Sequence, residues 1–272
     1  MTVIGRSAER LAVFYLARGA DVDSVAKFRR FRDSYRRFSA GCDHDLLIIF
    51  KGFKNVEELN EARAVFAPVD HGEIYTSDDS FDLGAYFDAA SRTQHENVCF
   101  LNTSSEFNSH DWLLKLVVNH VLPGVGMVGA TGSFEAPKYS AEDTFPNPHL
   151  RSNAFLLRRE LFLTMHPGQR MTSKMAVWLF EHGPASLSRR IHALGLAALV
   201  VGKNGRGYRT PWWPASETFR QGTQSNLLVH DNQTRGFERA PMAEKRTLFR
   251  LAWGRGSVLY HFNKSDGPLA GA

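Results

Sequence analysis

Two cysteines in 272 residues, Cys42 and Cys99, are too few for a disulfide framework. Cys99 lies within an apolar run and reads as a buried thiol. No secretory-type leader is read ahead of it, so a reducing, cytoplasmic setting is expected. Long apolar runs are missing as well: Leu194 to Val201 falls far short of the roughly 18 residues a membrane span needs. There is no internal repeat, no low-complexity segment and no Gly-X-Ser-X-Gly elbow. Gly129-Ala130-Thr131-Gly132-Ser133 lacks the lysine and spacing of a Walker loop, which sets aside nucleoside-triphosphate hydrolysis of that type. The eleven histidines are scattered, and His230 with Asp231-Asn232-Gln233-Thr234 fits no common tetrahedral metal set.

What is present is the composition of an ordinary globular protein, 43% hydrophobic and 22% charged, long enough for one large α/β domain. The net charge of +5 admits nucleic acid as a partner, but the charge is unevenly spread. Six basic residues fall between Lys27 and Arg37, interleaved with Phe28, Phe31, Tyr35 and Phe38. The aromatics recur at helical spacing, so they read as a buried face and the arginines as the wet one. The alternative is contact with acidic lipid or an anionic acceptor, at the periphery of a membrane. No aromatic-and-basic nucleic-acid motif is present, and no nucleic-acid partner is expected.

Along the chain, apolar strands alternate with amphipathic helices. Arg10–Ala17, Leu46–Phe50, Gly72–Thr76 and Val98–Leu101 read as strands, most of them continuous enough to be buried on both faces. Helices are expected to about Phe38, over Val56–Ala67, from a cap at Asp79 or Ser80 to about Arg92, and over Asp111–Val121. Such alternation implies a mostly parallel sheet with helices on both faces. After Leu122 the character changes. Pro123–Gly126 and Gly129–Ser133 read as turn-rich, and Phe145–Pro148 as a loop able to fold over a ligand. Asn153–Leu163 reads as strand and helix, Ser186–Leu194 as helix, and Leu196–Val201 as strand before a loop with Trp212 and Trp213. Thr247–Phe262 is aromatic and basic, a docking or membrane-surface helix.

The fourth strand runs straight into Asn102-Thr103-Ser104-Ser105-Glu106, an oxygen-rich tip. In open α/β sheets ligands sit outside the carboxyl ends of strands, so these side chains face whatever is bound.

From about residue 10 to 235 the order of features resembles the family 2-like bacterial glycosyltransferases of the GT-A fold, related to rhamnan-synthesis proteins. The likeness is carried by Ser80-Phe81-Asp82-Leu83-Gly84-Ala85-Tyr86, Phe100-Leu101-Asn102-Thr103-Ser104 and Gly126-Met127-Val128-Gly129-Ala130-Thr131-Gly132-Ser133. It continues through Ser152-Asn153-Ala154-Phe155-Leu156-Leu157-Arg158-Arg159, Glu181-His182-Gly183 with Ser186-Leu187-Ser188, and Asp231-Asn232-Gln233-Thr234. The resemblance implies a GT-A-like domain over 1–235, with a donor half (about 1–122), an acceptor half (about 123–235) and a C-terminal appendage at 236–272. It implies transfer of a hexosyl or deoxyhexosyl group from a nucleotide-diphosphate sugar to a glycan or lipid-linked acceptor. Inversion at the anomeric carbon and a place in bacterial surface polysaccharide synthesis follow from the resemblance alone.

Within that frame the donor's base is expected near Tyr15 and Ala17, its ribose at Asp78, Asp79 or Asp82, and its further contacts at Asn102, Ser104, Arg151 and Asn153. Asp82 is also the acid that a helix dipole alone would favour in a first turn. The family holds Mg²⁺ or Mn²⁺ between two aspartates, where this chain has Asn102 and Ser104. Neutral oxygens bind hard cations more weakly, so Glu106 would have to compensate, or Arg151, Arg158 or Lys203 would carry the pyrophosphate charge. The bland reading is that Thr103-Ser104-Ser105 caps the next segment. Glu181 is the candidate general base, with His182 replacing the family's second acid, and the alternative is a dipole-stabilised carboxylate. Gly132 and Ser133 are expected beside the acceptor. Trp212 and Trp213 stack on a sugar or close a packed loop. The altered tip also admits a catalytically inactive nucleotide-sugar or glycan-binding protein.

Overall fold

A computed structural model describes residues 11–136, 145–168, 180–183 and 186–254. Among the described residues twelve strands run in chain order: β1 (Leu11–Arg18), β2 (Asp45–Lys51), β3 (Gly72–Tyr75), β4 (Asn97–Leu101), β5 (Glu106–Phe107), β6 (Val125–Gly129), β7 (Gly132–Ser133), β8 (His149–Leu150), β9 (Ala154–Arg158), β10 (Ala197–Val201), β11 (Gly207–Tyr208) and β12 (Val229–His230). The helices are α1 (Ser24–Arg37), α2 (Val56–Phe66), α3 (Asp82–Ser91), α4 (Trp112–His120), α5 (Arg159–Thr164), α6 (Leu187–Ala193), α7 (Asn232–Arg239) and α8 (Met242–Trp253).

Eight strands form one sheet in the order β11-β10-β6-β9-β4-β1-β2-β3. Neighbours are parallel except around β9 and β11, which run against the rest. Side-chain alternation along β1 sorts the core. Leu11, Val13, Tyr15 and Ala17 pack toward α1, α2 and α4, while Ala12, Phe14 and Leu16 pack toward α3 and α5. Both faces are covered, which is why the strands read as apolar runs. The expected mostly parallel α/β class is the one observed.

Three readings change. The stretches Pro123–Gly126 and Gly129–Ser133, read as turn-rich, in part enter strands: Val125, Gly126 and Gly129 belong to the buried β6, because Val125, Met127 and Val128 fill the sheet between β9 and β10, and Gly132 and Ser133 form β7. The cap of α3 is Phe81, with no side-chain bond, so neither Asp79 nor Ser80 caps it. Ser80 instead lies over Gly84, where an added Cβ would come within 2.5 Å of the serine Cβ. Trp213 belongs to the core, fully buried in a 3-10 turn over Thr210–Ala215, with its Nε1 donating to Tyr208 O at 2.9 Å.

The aromatics Phe28 and Phe31 of α1 are buried, whereas Arg29, Arg30, Arg36 and Arg37 are exposed, the wet face that their spacing predicts. Helix α8 docks through Trp253, which is 2% exposed and donates from Nε1 to Phe219 O at 2.7 Å. The rest of the expected Thr247–Phe262 segment, beyond Gly254, lies outside the described residues. Among the described residues no helix is long and apolar enough to cross a membrane.

Candidate functional site

Strand β9 runs antiparallel to β4 with Ala154 opposite Leu101, so the residues entering β9 stand beside those leaving β4. This puts Arg151, Ser152 and Asn153 at the same edge as Asn102, whose backbone N–H donates to Asn153 O at 3.0 Å. The edge opens into a cleft of about 410 Å³, lined among others by Asn102, Ser133, Arg151, Asn153, Glu181 and His182. Expected donor, acceptor and catalytic residues therefore share one cavity. Asp82 is not on its wall. It nevertheless acts on Glu181 by charge repulsion, and both carboxylates act on the buried Tyr86 hydroxyl.

Glu181 lies beside residues of the core, next to the buried Phe180. Its Oε1 accepts a short hydrogen bond from Ser152 Oγ, and its Oε2 is 3.8 Å from His182 Nε2. Burial pushes the Glu181 pKa up, Ser152 pulls it down, the Asp82 charge adds to the rise and Arg151 opposes it. The result is a carboxylate more willing to take a proton than an ordinary glutamate. Burial likewise raises the Asp82 pKa, against the pull of Lys51. His149 stands edge-on to His182 with ring centroids 4.1 Å apart, and burial holds it well below the ordinary histidine range.

Arg151 is fixed from two sides. Its Nη2 donates to the fully buried Asp231 at 2.7 Å, and its Nη1 to Thr131 Oγ1 at 3.3 Å. Asp231 itself caps α7 in a capping box with Thr234. Burial opposes its charge, but Arg151 and the Thr234 hydrogen bonds outweigh that and hold its pKa below the usual range. The segment weighed as a metal site is thus a helix cap whose acid anchors an arginine of the cleft.

Several expected residues stand elsewhere. The side chains of Tyr15 and Ala17 are wholly inside the core and cannot meet a base. Tyr15 stacks on Phe31 at 3.6 Å and donates to Thr103 O at 2.8 Å. What leaves β1 at this end is Arg18, paired with Asp78 at 3.3 Å and Asp21 at 3.1 Å. Lys51 at the end of β2 is buried 3.6 Å from the same Asp78. Asp79 is exposed and accepts from Ser77 at 2.5 Å. Arg158 is exposed at the far end of β9, opposite Asn97, and Lys203 is exposed off the cleft wall. Gly132 makes room for a core side chain rather than for an acceptor: a Cβ there would come within 2.8 Å of the Trp213 ring. Trp213 is sealed in the core and the half-buried Trp212 lies off the cleft wall, so neither is placed to stack on a sugar in the cleft.

The tip residues expected around a metal do not converge. Asn102 Oδ1 accepts from Ser104 N and Ser105 Oγ, each at 3.1 Å, so its oxygen closes the turn. Glu106 accepts from Arg235 at 3.0 Å, and Arg235 also donates to Ser104 O at 2.8 Å. Among the described residues no three of His, Cys, Asp and Glu gather as metal ligands. The residues present do not fit Mg²⁺ or Mn²⁺.

Sequence reasoning missed Phe219 and Arg220. Both line the cleft, and the Arg151 and Arg220 guanidinium carbons lie 4.2 and 4.8 Å from the Phe219 ring centre. Arg220 holds a left-handed backbone, φ 52, which costs on the order of 1 kcal/mol and persists only where the surroundings enforce it. They do: Gln224 Oε1 accepts from Arg220 N at 2.9 Å, and Gln221 Nε2 donates to Trp213 O at 2.8 Å. The usable signal was the pair Gln221 and Gln224, buried amides that tie a loop to itself.

No protein-family model matches the chain, and no curated protein sequence does. Among solved structures it is similar to a mannosyltransferase from Pyrobaculum calidifontis in complex with GDP-Man and Mn²⁺, at 13% identity over 70% of this chain and 54% of the other, TM-score 0.49. It is also similar to a 4-diphosphocytidyl-2C-methyl-D-erythritol synthase from Anaerococcus prevotii, at 11% identity over 63% of this chain and 82% of the other, TM-score 0.44. A CMP:2-keto-3-deoxy-manno-octonic acid synthetase complexed with CTP matches at 9% identity over 70% of this chain and 88% of the other, TM-score 0.45. These are likenesses of chain path only.

Proposed function

We propose that the protein is a glycosyltransferase that moves a sugar from a nucleotide-diphosphate donor to a hydroxyl of a glycan or lipid-linked acceptor. One observation carries the reading: Glu181, a carboxylate whose pKa burial raises, shares a cleft at the carboxyl edge of the sheet with Arg151 and Arg220. A proton acceptor and a pair of cations in one cavity are what displacement at a phosphorylated anomeric carbon requires. Glu181 takes the acceptor hydroxyl proton as the oxygen attacks the anomeric carbon. The bond from that carbon to the phosphate oxygen breaks, and the electron pair leaves with the nucleoside diphosphate. A single displacement of this kind inverts the anomeric centre. On this reading Asp82, at the start of α3, serves the nucleoside end of the donor.

The second reading, a nucleotide-sugar or glycan-binding protein without turnover, is favoured by Asn102 and by His182 in place of a second acid. A panel of UDP, GDP, CDP and dTDP sugars, followed first by thermal shift and then by sugar release, separates the two. Glu181→Gln should lose about 10²–10⁴-fold in transfer, the usual worth of a positioned base, with donor binding nearly unchanged. Binding without release by the wild type selects the binder, and unchanged turnover in the variant removes Glu181 from the role.

A further inference from the structure

We infer that the donor's diphosphate is held by Arg220, Arg151 and the Asn153 amide, with no divalent metal ion between phosphate and protein. This rests on the nucleotide-sugar reading and says how the same cleft meets the donor's charge. The first ground is the acceptor inventory. Two candidate metal ligands at the tip of β4 are already engaged, Asn102 Oδ1 by Ser104 N and Ser105 Oγ and Glu106 Oε2 by Arg235. Hard cations prefer charged, unspent oxygens, and the one carboxylate of the tip, Glu106, is already paired with Arg235.

The second ground is what remains unsatisfied. Asn153 Nδ2 and Arg220 Nε are buried with no hydrogen-bond partner, on residues only 3% and 9% exposed that both line the cleft. Both orphans are donors. The amide's orientation follows from its neighbours, because Arg151 can only donate to Thr131 Oγ1, whose own proton then goes to Asn153 Oδ1 at 2.7 Å. Buried donors without acceptors are costly, so the ligand that completes this cleft brings oxygens and negative charge.

The third ground is the cation pair itself. Packing on Phe219 sets the spacing of Arg151 and Arg220, and Gln224 and Trp253 brace their loop. Glu135 at 3.2 Å neutralises Arg220 only in part: burial and the Arg151 charge still hold its pKa below the usual guanidinium value. An anion between the two guanidiniums relieves that imbalance.

Calorimetric titration of UDP, GDP, CDP, dTDP and inorganic pyrophosphate, each in EDTA and in Mn²⁺, tests the inference. At least one nucleoside diphosphate should bind in EDTA within about threefold of its affinity in Mn²⁺. Arg220→Gln should weaken that binding by about tenfold or more, the effect of one lost charge-assisted hydrogen bond. Glu135→Gln, at a half-exposed position, should tighten it several-fold by freeing Arg220. A tenfold or greater requirement for Mn²⁺ overturns the metal-free clamp and leaves the transferase reading standing. Unchanged binding in both variants overturns the role of Arg220. If no nucleoside diphosphate binds with or without Mn²⁺, both readings fall.

Discussion

Two polar clusters sit at the same carboxyl edge of the sheet, and they are finished differently. At the ends of β1 and β2, opposite charges close on one another: Arg18 with Asp78 and Asp21, Lys27 with Asp21 at 2.9 Å, and Lys51 against Asp78. Among the described residues the buried orphan there is Lys51 Nζ, and it has its counter-charge, Asp78, at hand. At the ends of β4 and β6 and the entry of β9, the charges are also paired, yet neutral and cationic donors are left over beside a cavity. Charge alone does not mark a binding edge. Donors left over beside a cavity do, because an anionic ligand satisfies cationic and amide donors better than water does.

The largest expected contrast between the clusters is in stability. Asp231→Asn should cost about 3–5 kcal/mol in urea unfolding, since it leaves Arg151 without its buried partner. Lys51→Met should change stability by less than about 1 kcal/mol or raise it, because an ammonium held by one 3.6 Å pair recovers little of its lost hydration. Equal losses in the two variants would erase the distinction drawn between the clusters. Next comes the core beneath the cleft. Trp213→Ala should cost about 3–5 kcal/mol and Trp212→Ala about 1 kcal/mol, read from the same denaturation curves. A Trp213 variant that keeps wild-type stability but loses sugar binding would return that residue to the site.

Two smaller effects concern charge coupling. Transfer should fall as pH drops through the raised pKa of Glu181, with an acid limb above the ordinary carboxylate range. Asp82→Asn should move that limb to lower pH by removing a like charge, and Ser152→Ala should move it up by removing a hydrogen bond to the carboxylate. Asp82→Asn should also weaken nucleotide binding by about 1–3 kcal/mol. A limb that stays put in both variants would show that another group titrates. The smallest effect is on stability against pH. Because the folded pKa of Glu181 exceeds its unfolded value, its stability contribution declines as pH rises from the unfolded pKa through the folded one. Glu181→Gln should therefore be more stable than wild type above that window and equal to it below. A constant difference from low to high pH would rule this out.

Much of the first half was legible because local signals and tertiary burial agree there. The runs at β1, β2 and β4 are apolar because both sheet faces are covered, and Phe28 and Phe31 at helical spacing mark the inner face of α1. The second half misled where tertiary context overrides local chemistry. Glycines made both ends of β6 read as turns, although the strand lies inside the sheet between β10 and β9. The residues of the cleft were partly legible: Asn102, Ser133, Arg151, Asn153, Glu181 and His182 were named and do share a wall. Phe219 and Arg220 were not, since a loop residue's worth depends on the backbone that presents it.

The sequence by itself determined the alternation of strands and helices, the buried faces, and the oxygen-rich tip Asn102 to Glu106 after β4. These are properties of neighbours a few positions apart, which periodicity records. Only the tertiary structure decided that Arg151 and Arg220, 69 positions apart by subtraction, meet on one phenylalanine ring. It also decided that Tyr15 and Trp213 belong to the core and that the unspent donors collect beside Glu181. Those outcomes depend on which groups find partners across the fold, and hydrogen-bond satisfaction between distant segments leaves no trace in local spacing.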